Sequence, residues 1–120
     1  MKLLSLPEIN QIWSTLKLND SGLIPAIAID FKTHNVLMHA WMNKEAFEKT
    51  LTTGLVTYFS RSRNQLWIKG EESGNTQSLI ELKLDCDKDT VLVVVEQKGN
   101  ACHTGSHSCF DETLIWSKNG

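Results

Sequence analysis

The sequence predicts an α+β fold, in which a strand-rich mixed sheet and two short helices form a single domain. A length of 120 residues suits one domain, and the apolar fraction of 41% is ordinary for a globular chain. Two segments have helical start signals, and six others have the composition or alternation of strands. Because no repeat or linker divides the chain, we expect one domain over residues 1–120, with its motifs at about 22–110.

Two segments are predicted to be helices. Residues 5–17 begin with Ser5 and Glu8, which have the spacing of a capping box, and continue with an apolar stripe at helical intervals. Residues 44–53 follow Asn43, a residue type that favours the N-cap position. We expect the first helix to serve packing, in the core or between subunits, rather than chemistry.

Most of the remaining apolar segments are predicted to be strands. The clearest is TVLVVVEQ at residues 90–97, whose β-branched side chains suit a buried strand. The first two strands should form a hairpin through residues 32–35, and a short edge strand is expected at 113–116. The six main predicted strands are 24–31, 36–41, 55–60, 66–69, 76–84 and 90–97.

The overall charge excludes several classes of partner. A formal net charge of −2 gives no general attraction to nucleic acid or to a membrane surface. The apolar runs are too short to span a bilayer, and the first residues lack the pattern of a signal peptide. We therefore expect a cytoplasmic protein, in which three cysteines are metal ligands or free thiols rather than disulfide partners.

One segment, residues 85–110, holds the chemistry-bearing side chains. It begins with Asp85, Asp87 and Asp89, whose carboxylates share one side of the chain if the backbone is extended, while Cys86 faces the other side. Carboxylate oxygens suit a hard cation such as Mg²⁺, although a solvated acidic turn is the plainer alternative. The spacing also matches part of an EF-hand loop, but Thr90 stands where that loop needs glycine and no helices flank it.

The three cysteines suggest a second kind of metal site. The thiolates of Cys86, Cys102 and Cys109, with His103 and His107 nearby, suit Zn²⁺. The alternatives to a catalytic zinc site are a structural zinc site and plain buried thiols. Eight extended residues at 90–97 span roughly 26 Å, at about 3.3 Å each. The chain then has too few residues to return, so one ion reaches all three thiolates only if Cys86 comes from another copy. We therefore hypothesise a two-fold homodimer with intersubunit zinc sites.

A basic and polar cluster precedes that segment. Arg61 and Arg63 share a face if the SRSR run is extended, and Lys69 follows beside a glycine-containing loop. Guanidinium forks match phosphate oxygens, and free backbone N–H groups near glycines add to such a pocket. A solvated basic turn is the alternative.

Several motifs together resemble one enzyme family. The runs are SRSR at 60–63, LW-x-KGE at 66–71, SGN at 73–75, DCD-x-D at 85–89 and ACHTG-x-x-SCF at 101–110. In this order they are similar to phosphoribosyl-AMP cyclohydrolases of histidine biosynthesis, over about residues 22–110. The resemblance implies a hydrolase that opens the adenine ring at the N1–C6 bond. The product is the phosphoribosyl-formimino imidazole carboxamide ribonucleotide, and the step is the third of the pathway.

The resemblance also implies roles for individual residues. It implies zinc held across a homodimer by the three cysteines and Mg²⁺ held by the three aspartates. Beside these, His103 is the expected acid/base group, because it adjoins Cys102 and an imidazole suits proton transfer near neutrality, and His107 has a weaker claim. Ile68 and Glu72 depart from the residues common in the family, which bears on substrate contact. The implied contacts to the nucleotide are Arg61, Arg63, Lys69, Glu71, Ser73, Asn75 and Trp41.

Two other functions compete with this interpretation. A zinc nucleobase deaminase shares the attack of water on a purine carbon, but its His-x-Glu and Pro-Cys-x-x-Cys signature is absent. A non-catalytic zinc or thiol redox protein would leave the SRSR and KGE-x-SGN runs without a purpose. The polar runs therefore favour an enzyme acting on a small nucleotide.

Overall fold

The computed structural model describes residues 4–119 and confirms the α+β class. The prediction of a short strand at 113–116 is wrong, because these residues pair with no strand within residues 4–119. No helix within residues 4–119 has the length and apolar character needed to cross a membrane. The elements in chain order are α1 (Leu6–Ser14), β1 (Ile24–Asp30), β2 (Val36–Met42), α2 (Lys44–Thr53), β3 (Thr57–Ser60), β4 (Gln65–Ile68), β5 (Gln77–Leu84) and β6 (Val91–Gln97).

Both helices begin at the predicted caps. In α1 the Ser5 hydroxyl accepts from the Glu8 N–H at 3.3 Å, and the Glu8 carboxylate accepts from the Ser5 N–H at 3.2 Å, which completes the capping box. The helix ends at Ser14, three residues before the predicted end at residue 17, because the next backbone N–H groups bond three residues back in a tighter turn. Helix α2 has the predicted bounds and starts from the Asn43 cap.

The main sheet has the strand order β2-β1-β6-β5. The pairs β1–β2 and β5–β6 are antiparallel, whereas β1 and β6 run parallel, so the predicted mixed sheet is confirmed. The hairpin predicted between the first two strands is also confirmed. Strand β6 lies inside the sheet, and its Val91, Val93 and Val95 are fully buried. The buried core also contains Ile9, Ile24, Leu37, Met42, Phe47, Val56 and Tyr58.

Strands β3 and β4 form a separate antiparallel hairpin that is tied to the main sheet. The Val56 N–H donates to the Gln77 carbonyl at 2.9 Å. The buried Tyr58 hydroxyl donates to Gln77 Oε1 at 2.6 Å, and Gln77 Nε2 donates to Gln97 Oε1 at 2.8 Å. Burial raises the pKa of Tyr58, so the phenol stays protonated and keeps its donor role. This network fixes where the hairpin tip lies relative to the ends of β5 and β6.

Helix α2 is joined to the hairpin by one buried hydroxyl, which gives a stability prediction. Thr50 Oγ1 donates to the Ala46 carbonyl at 2.8 Å and accepts from the Thr57 N–H at 2.9 Å. Thr50→Val keeps the shape but leaves the Thr57 N–H buried without a partner, so we expect a loss of about 1–3 kcal/mol of unfolding free energy. Urea unfolding followed by circular dichroism measures it.

The same helix provides a matched control for that change. Thr52 is exposed, and its hydroxyl bonds only to helix carbonyls, at 2.9 Å for Glu48. Thr52→Val makes the same chemical change on the same helix and should alter stability by less than about 0.5 kcal/mol. Equal losses in the two variants, at matched protein concentration, would show that the Thr50 contact does not hold the hairpin in place.

Candidate active site

The three aspartates lie on the turn between β5 and β6, hereafter the aspartate turn (residues 85–90). One oxygen from each of Asp85, Asp87 and Asp89 lies within 4.8 Å of the others, and all three residues are exposed. The backbone is not extended as expected, since residues 86–88 form a turn in which Lys88 has a φ of 60°. The carboxylates converge because the chain turns, rather than because they alternate along a strand.

Hydrogen bonds within the aspartate turn set its protonation. Asp85 Oδ1 accepts from the N–H groups of Asp89 at 3.0 Å and Thr90 at 3.1 Å. A carboxyl hydrogen bond with Asp89, supported by bonds with Asp87 and these N–H groups, lowers the pKa of Asp85. The same bond with Asp85, with a further one to Asp87 and their negative charges, raises the pKa of Asp89. The turn thus gathers acceptor oxygens whose mutual repulsion a bound cation relieves.

Two cysteines lie together in the thiol loop, which we define as residues 101–109 after β6. The loop is closed by the Ala101 N–H to the His107 carbonyl at 3.1 Å and by the Cys102 N–H to the Ser106 carbonyl at 3.2 Å. At its end the Cys109 N–H donates to the Leu37 carbonyl at 2.7 Å on β2. The loop is therefore fixed to the sheet at both ends, and all three cysteines are free thiols.

The two thiols of the loop have different electrostatic surroundings. Hydrogen bonds from Thr104, whose hydroxyl lies 3.0 Å from Cys102 Sγ, lower the pKa of Cys102. Burial raises the pKa of Cys109, and a hydrogen bond and the charge of Cys102 add to that effect. The two thiols influence each other's pKa, as neighbouring side chains do. Two adjacent thiols of this kind are suitable ligands for one soft metal ion.

Cys86 does not belong to this pair within one chain. It is exposed on the aspartate turn, before β6, whereas the thiol loop follows β6 at the other end of the strand. Among residues 4–119, the aspartates form the one group of three potential metal-binding side chains with mutually close ligand atoms. The chain by itself thus presents a two-thiol site and, separately, an acidic turn that carries the third thiol.

The thiol loop opens onto a cleft of about 660 Å³. Its walls come from the β3–β4 hairpin, the turn that follows β4 and the thiol loop itself. Cys102 and His103 lie in one wall, and Arg63 lies in another. The cleft brings together most of the predicted substrate contacts, namely Arg63, Lys69, Glu71, Ser73 and Asn75, and Glu72 also lines it.

A second, more open cleft of about 530 Å³ lies on the other side of the hairpin tip. It is lined by Trp41, Arg61 and Trp67, and the Arg61 guanidinium carbon lies 4.6 Å from the centre of the Trp41 ring. Residues 61–64 form the hairpin turn between β3 and β4, so the SRSR run is not extended and the two arginines do not share a face. Arg61 and Arg63 therefore line different clefts, and Ser60, Ser62 and Trp67 border both.

Lys69 is placed differently from the other predicted contacts. The residue is 8% exposed, and its Nζ donates to the Ala101 carbonyl at 2.6 Å. Burial lowers the pKa of Lys69, while the charges of Cys109 and Cys102 act in the opposite direction. Its ammonium group thus bonds to the first residue of the thiol loop, while the residue also lines the cleft.

The two histidines of the thiol loop occupy different positions. His103 is exposed and lines the larger cleft directly after Cys102, where a proton-transfer group is useful. His107 is exposed as well, but its carbonyl closes the loop and the residue does not line either cleft. The geometry favours His103 over His107.

Some residues that shape the site were not singled out from the sequence. Thr104 contacts the Cys102 thiol, and Ser108 is buried, where its hydroxyl donates to the Val36 carbonyl at 2.6 Å. Glu112 accepts from the Ser106 hydroxyl at 2.6 Å and holds the loop from outside. The only sequence signal was their position within or just after the ACHTG-x-x-SCF run.

Comparison with known proteins agrees with the geometry. The model of the phosphoribosyl-AMP cyclohydrolase family matches residues 38–111, which include both the aspartate turn and the thiol loop. A relative of the same name in Granulibacter bethesdensis is 58% identical over 84% of this chain and 79% of its own length. Another in Acidiphilium cryptum is 60% identical over 78% of this chain and 81% of its own length. A third, in Rhodococcus jostii, is 56% identical over 87% of this chain and 91% of its own. The chain belongs to the phosphoribosyl-AMP cyclohydrolase family.

Proposed function

We propose that this protein is the hydrolase that opens the adenine ring of phosphoribosyl-AMP in histidine biosynthesis. The observation that carries the proposal is the cleft in which Cys102 and His103 face Arg63 and Ser73, in a chain of this family. Water adds its oxygen to C6, the N1–C6 bond breaks, and N1 receives a proton. The product is the phosphoribosyl-formimino imidazole carboxamide ribonucleotide.

The cleft offers separate places for the polar and reacting parts of the nucleotide. Arg63 and the hydroxyl of Ser73 are donors for phosphate oxygens, and the Asn75 amide adds a further polar group. Arg61, over the Trp41 ring in the neighbouring cleft, is placed for the second phosphate. Glu71 provides an acceptor for ribose hydroxyls. A substrate held at these points has its ring directed to the wall that carries Cys102 and His103.

His103 is the group proposed to move protons. Attack at C6 requires a proton to leave the water, and departure of N1 requires a proton to arrive. An imidazole can perform both transfers near neutral pH, because its ordinary pKa is close to 7. Its exposed position in the cleft wall gives it access to both the attacking water and the ring.

The thiols fit a zinc ion as part of this site. Cys102 and Cys109 are free and close together, and the neighbouring ammonium group of Lys69 complements thiolate charge. We assign Cys86 as the third ligand. When bound by three protein ligands, zinc supplies an open position at which the pKa of a water falls to about 7.

The separation of Cys86 from the other thiols supports a homodimer with two shared sites. Because Cys86 and the thiol loop lie at opposite ends of β6, two copies related by two-fold symmetry complete each three-thiol set. Asp85 and Asp87 flank Cys86, so the same arrangement brings the aspartate turn of one copy to the cleft of the other. Mg²⁺ held by the aspartates would then lie where it neutralises substrate phosphate.

Exposed apolar side chains beside the thiol loop support the same dimer. Phe110 is 63% exposed, and Leu114, Ile115 and Trp116 are 75%, 90% and 76% exposed. Large apolar side chains that are exposed within seven residues of each other are typical of a surface that a partner covers. We assign the protein to the cytoplasm, where free thiols stay reduced and available to zinc.

The reaction and its metal are tested together by following turnover. Purified protein should convert phosphoribosyl-AMP, lose activity on zinc chelation and recover it when zinc is restored. Cys102→Ala should reduce kcat by at least about 100-fold, because the proposed zinc site then lacks one of its three thiol ligands. Thr52→Ala, an exposed change far from the motifs, is the control. Near-normal turnover by folded, zinc-free Cys102→Ala would rule out this mechanism.

Shared sites are tested by mixing two inactive variants. Cys86→Ala and Cys102→Ala should each be inactive alone, because each removes a ligand from both sites of its homodimer. After subunit exchange at equal amounts, half of the dimers are mixed and each has one intact site of two, so about a quarter of wild-type activity should return. A mixture of Cys102→Ala with Cys109→Ala is the control, since both sites stay damaged. No recovery in exchanged Cys86→Ala and Cys102→Ala dimers would place all three ligands in one chain.

A further inference from the structure

The side chain of Lys69 is buried, and its ammonium group is bonded to the thiol loop. Its Nζ donates to the Ala101 carbonyl at 2.6 Å, across 32 positions of sequence, and Ala101 is itself only 2% exposed. The same nitrogen lies 5.4 Å from the centre of the Trp67 ring. Burying an ammonium group costs several kcal/mol unless nearby groups compensate it, so this position requires a function or a structural gain.

The backbone holds Lys69 where it is. Its N–H donates to the Val56 carbonyl at 3.1 Å, next to the point where the hairpin joins β5. Gly70 follows with a φ of 81°, and a Cβ at this position would lie 2.3 Å from the backbone carbon of Asn75. Only glycine allows the chain to turn back so closely. The lysine side chain therefore extends to the thiol loop from a backbone that is fixed on both sides.

The carbonyl that Lys69 holds immediately precedes a thiol of the proposed zinc site. Ala101 begins the thiol loop, and its N–H closes that loop through the His107 carbonyl. The hydrogen bond to Ala101 places the Lys69 ammonium group next to the residue that precedes Cys102, and Lys69 and Cys102 line the same cleft. The charges of Cys109 and Cys102 act to raise the pKa of Lys69, against the effect of burial. Zn²⁺ with three thiolates has a net charge of −1, which a buried cation stabilises.

We propose that Lys69 is a positioning residue, which holds the start of the thiol loop and complements the charge of the zinc-thiolate group, rather than a ligand for substrate phosphate. The inference rests on the proposed zinc site and changes the role expected of Lys69 from the sequence. A phosphate ligand acts on substrate binding. A residue that positions the thiols acts on metal binding, before any substrate is present.

The test separates these two roles by measuring zinc and substrate independently. Lys69→Met keeps the length of the side chain and removes its charge and its donor group. We expect its zinc affinity, from competition with a chromophoric chelator, to fall about tenfold or more, as for other groups that support metal ligands. Saturated with zinc, the variant should keep a KM within about twofold of wild type. Lys83→Met, at a lysine whose side chain is 59% exposed, should leave both quantities unchanged.

The opposite pattern would overturn the inference. If folded Lys69→Met binds zinc within about twofold of wild type and its KM rises instead, Lys69 is a substrate ligand. Should the methionine variant fail to fold, Lys69→Gln retains a donor group without the charge and carries the same two measurements. Zinc affinity needs no substrate. A wild-type protein that fails to hydrolyse phosphoribosyl-AMP would therefore count against the reaction, not against this role of Lys69.

Discussion

Strand β6 keeps the two halves of the proposed metal chemistry apart. Its seven residues are extended inside the sheet, between β1 and β5, with the aspartate turn before them and the thiol loop after them. Three of its valines are fully buried, so the strand cannot bend to bring its ends together without exposing the core. On the proposed assignment, one chain would supply two thiolates to each zinc site, and a second copy would supply the third.

The cleft depends on contacts between parts of the chain that are far apart in sequence. The hairpin is tied to the sheet by Tyr58 and Gln77, and Gln97 Nε2 donates to the Asn75 carbonyl at 3.1 Å. Lys69 connects the end of the hairpin to the thiol loop. These bonds are buried or half-buried, where an unpaired polar group is costly. The wall that carries Arg63 therefore has a defined position relative to the wall that carries His103.

The distribution of charge follows the same division of the molecule. At one end of β6, the carboxylate oxygens of three aspartates are gathered on one turn. At the other end, a buried ammonium group faces two thiols, and an arginine lines the cleft above them. The first arrangement suits a hard cation, and the second suits a soft metal ion next to an anionic nucleotide. In the proposed dimer the two kinds of site meet at each interface.

The sequence by itself determined the elements and the identity of the chemistry-bearing residues. The capping box at Ser5, the cap at Asn43 and the β-branched run of β6 are local signals, since each depends on neighbouring residues. The length of the β6 run also predicted that Cys86 and Cys102 of one chain do not share an ion. Local signals failed at residues 113–116, where strand formation depends on pairing with another segment.

Only the tertiary structure decided how these residues are grouped. Arg61 and Arg63 are two positions apart in sequence, yet a turn places them in different clefts. Lys69 and Ala101 are 32 positions apart, yet they share a hydrogen bond, and nothing in the local pattern of either residue indicates the other. Contacts of this kind form because burial in a common core brings distant segments together. Composition and spacing describe only each segment, so they cannot specify which segments meet.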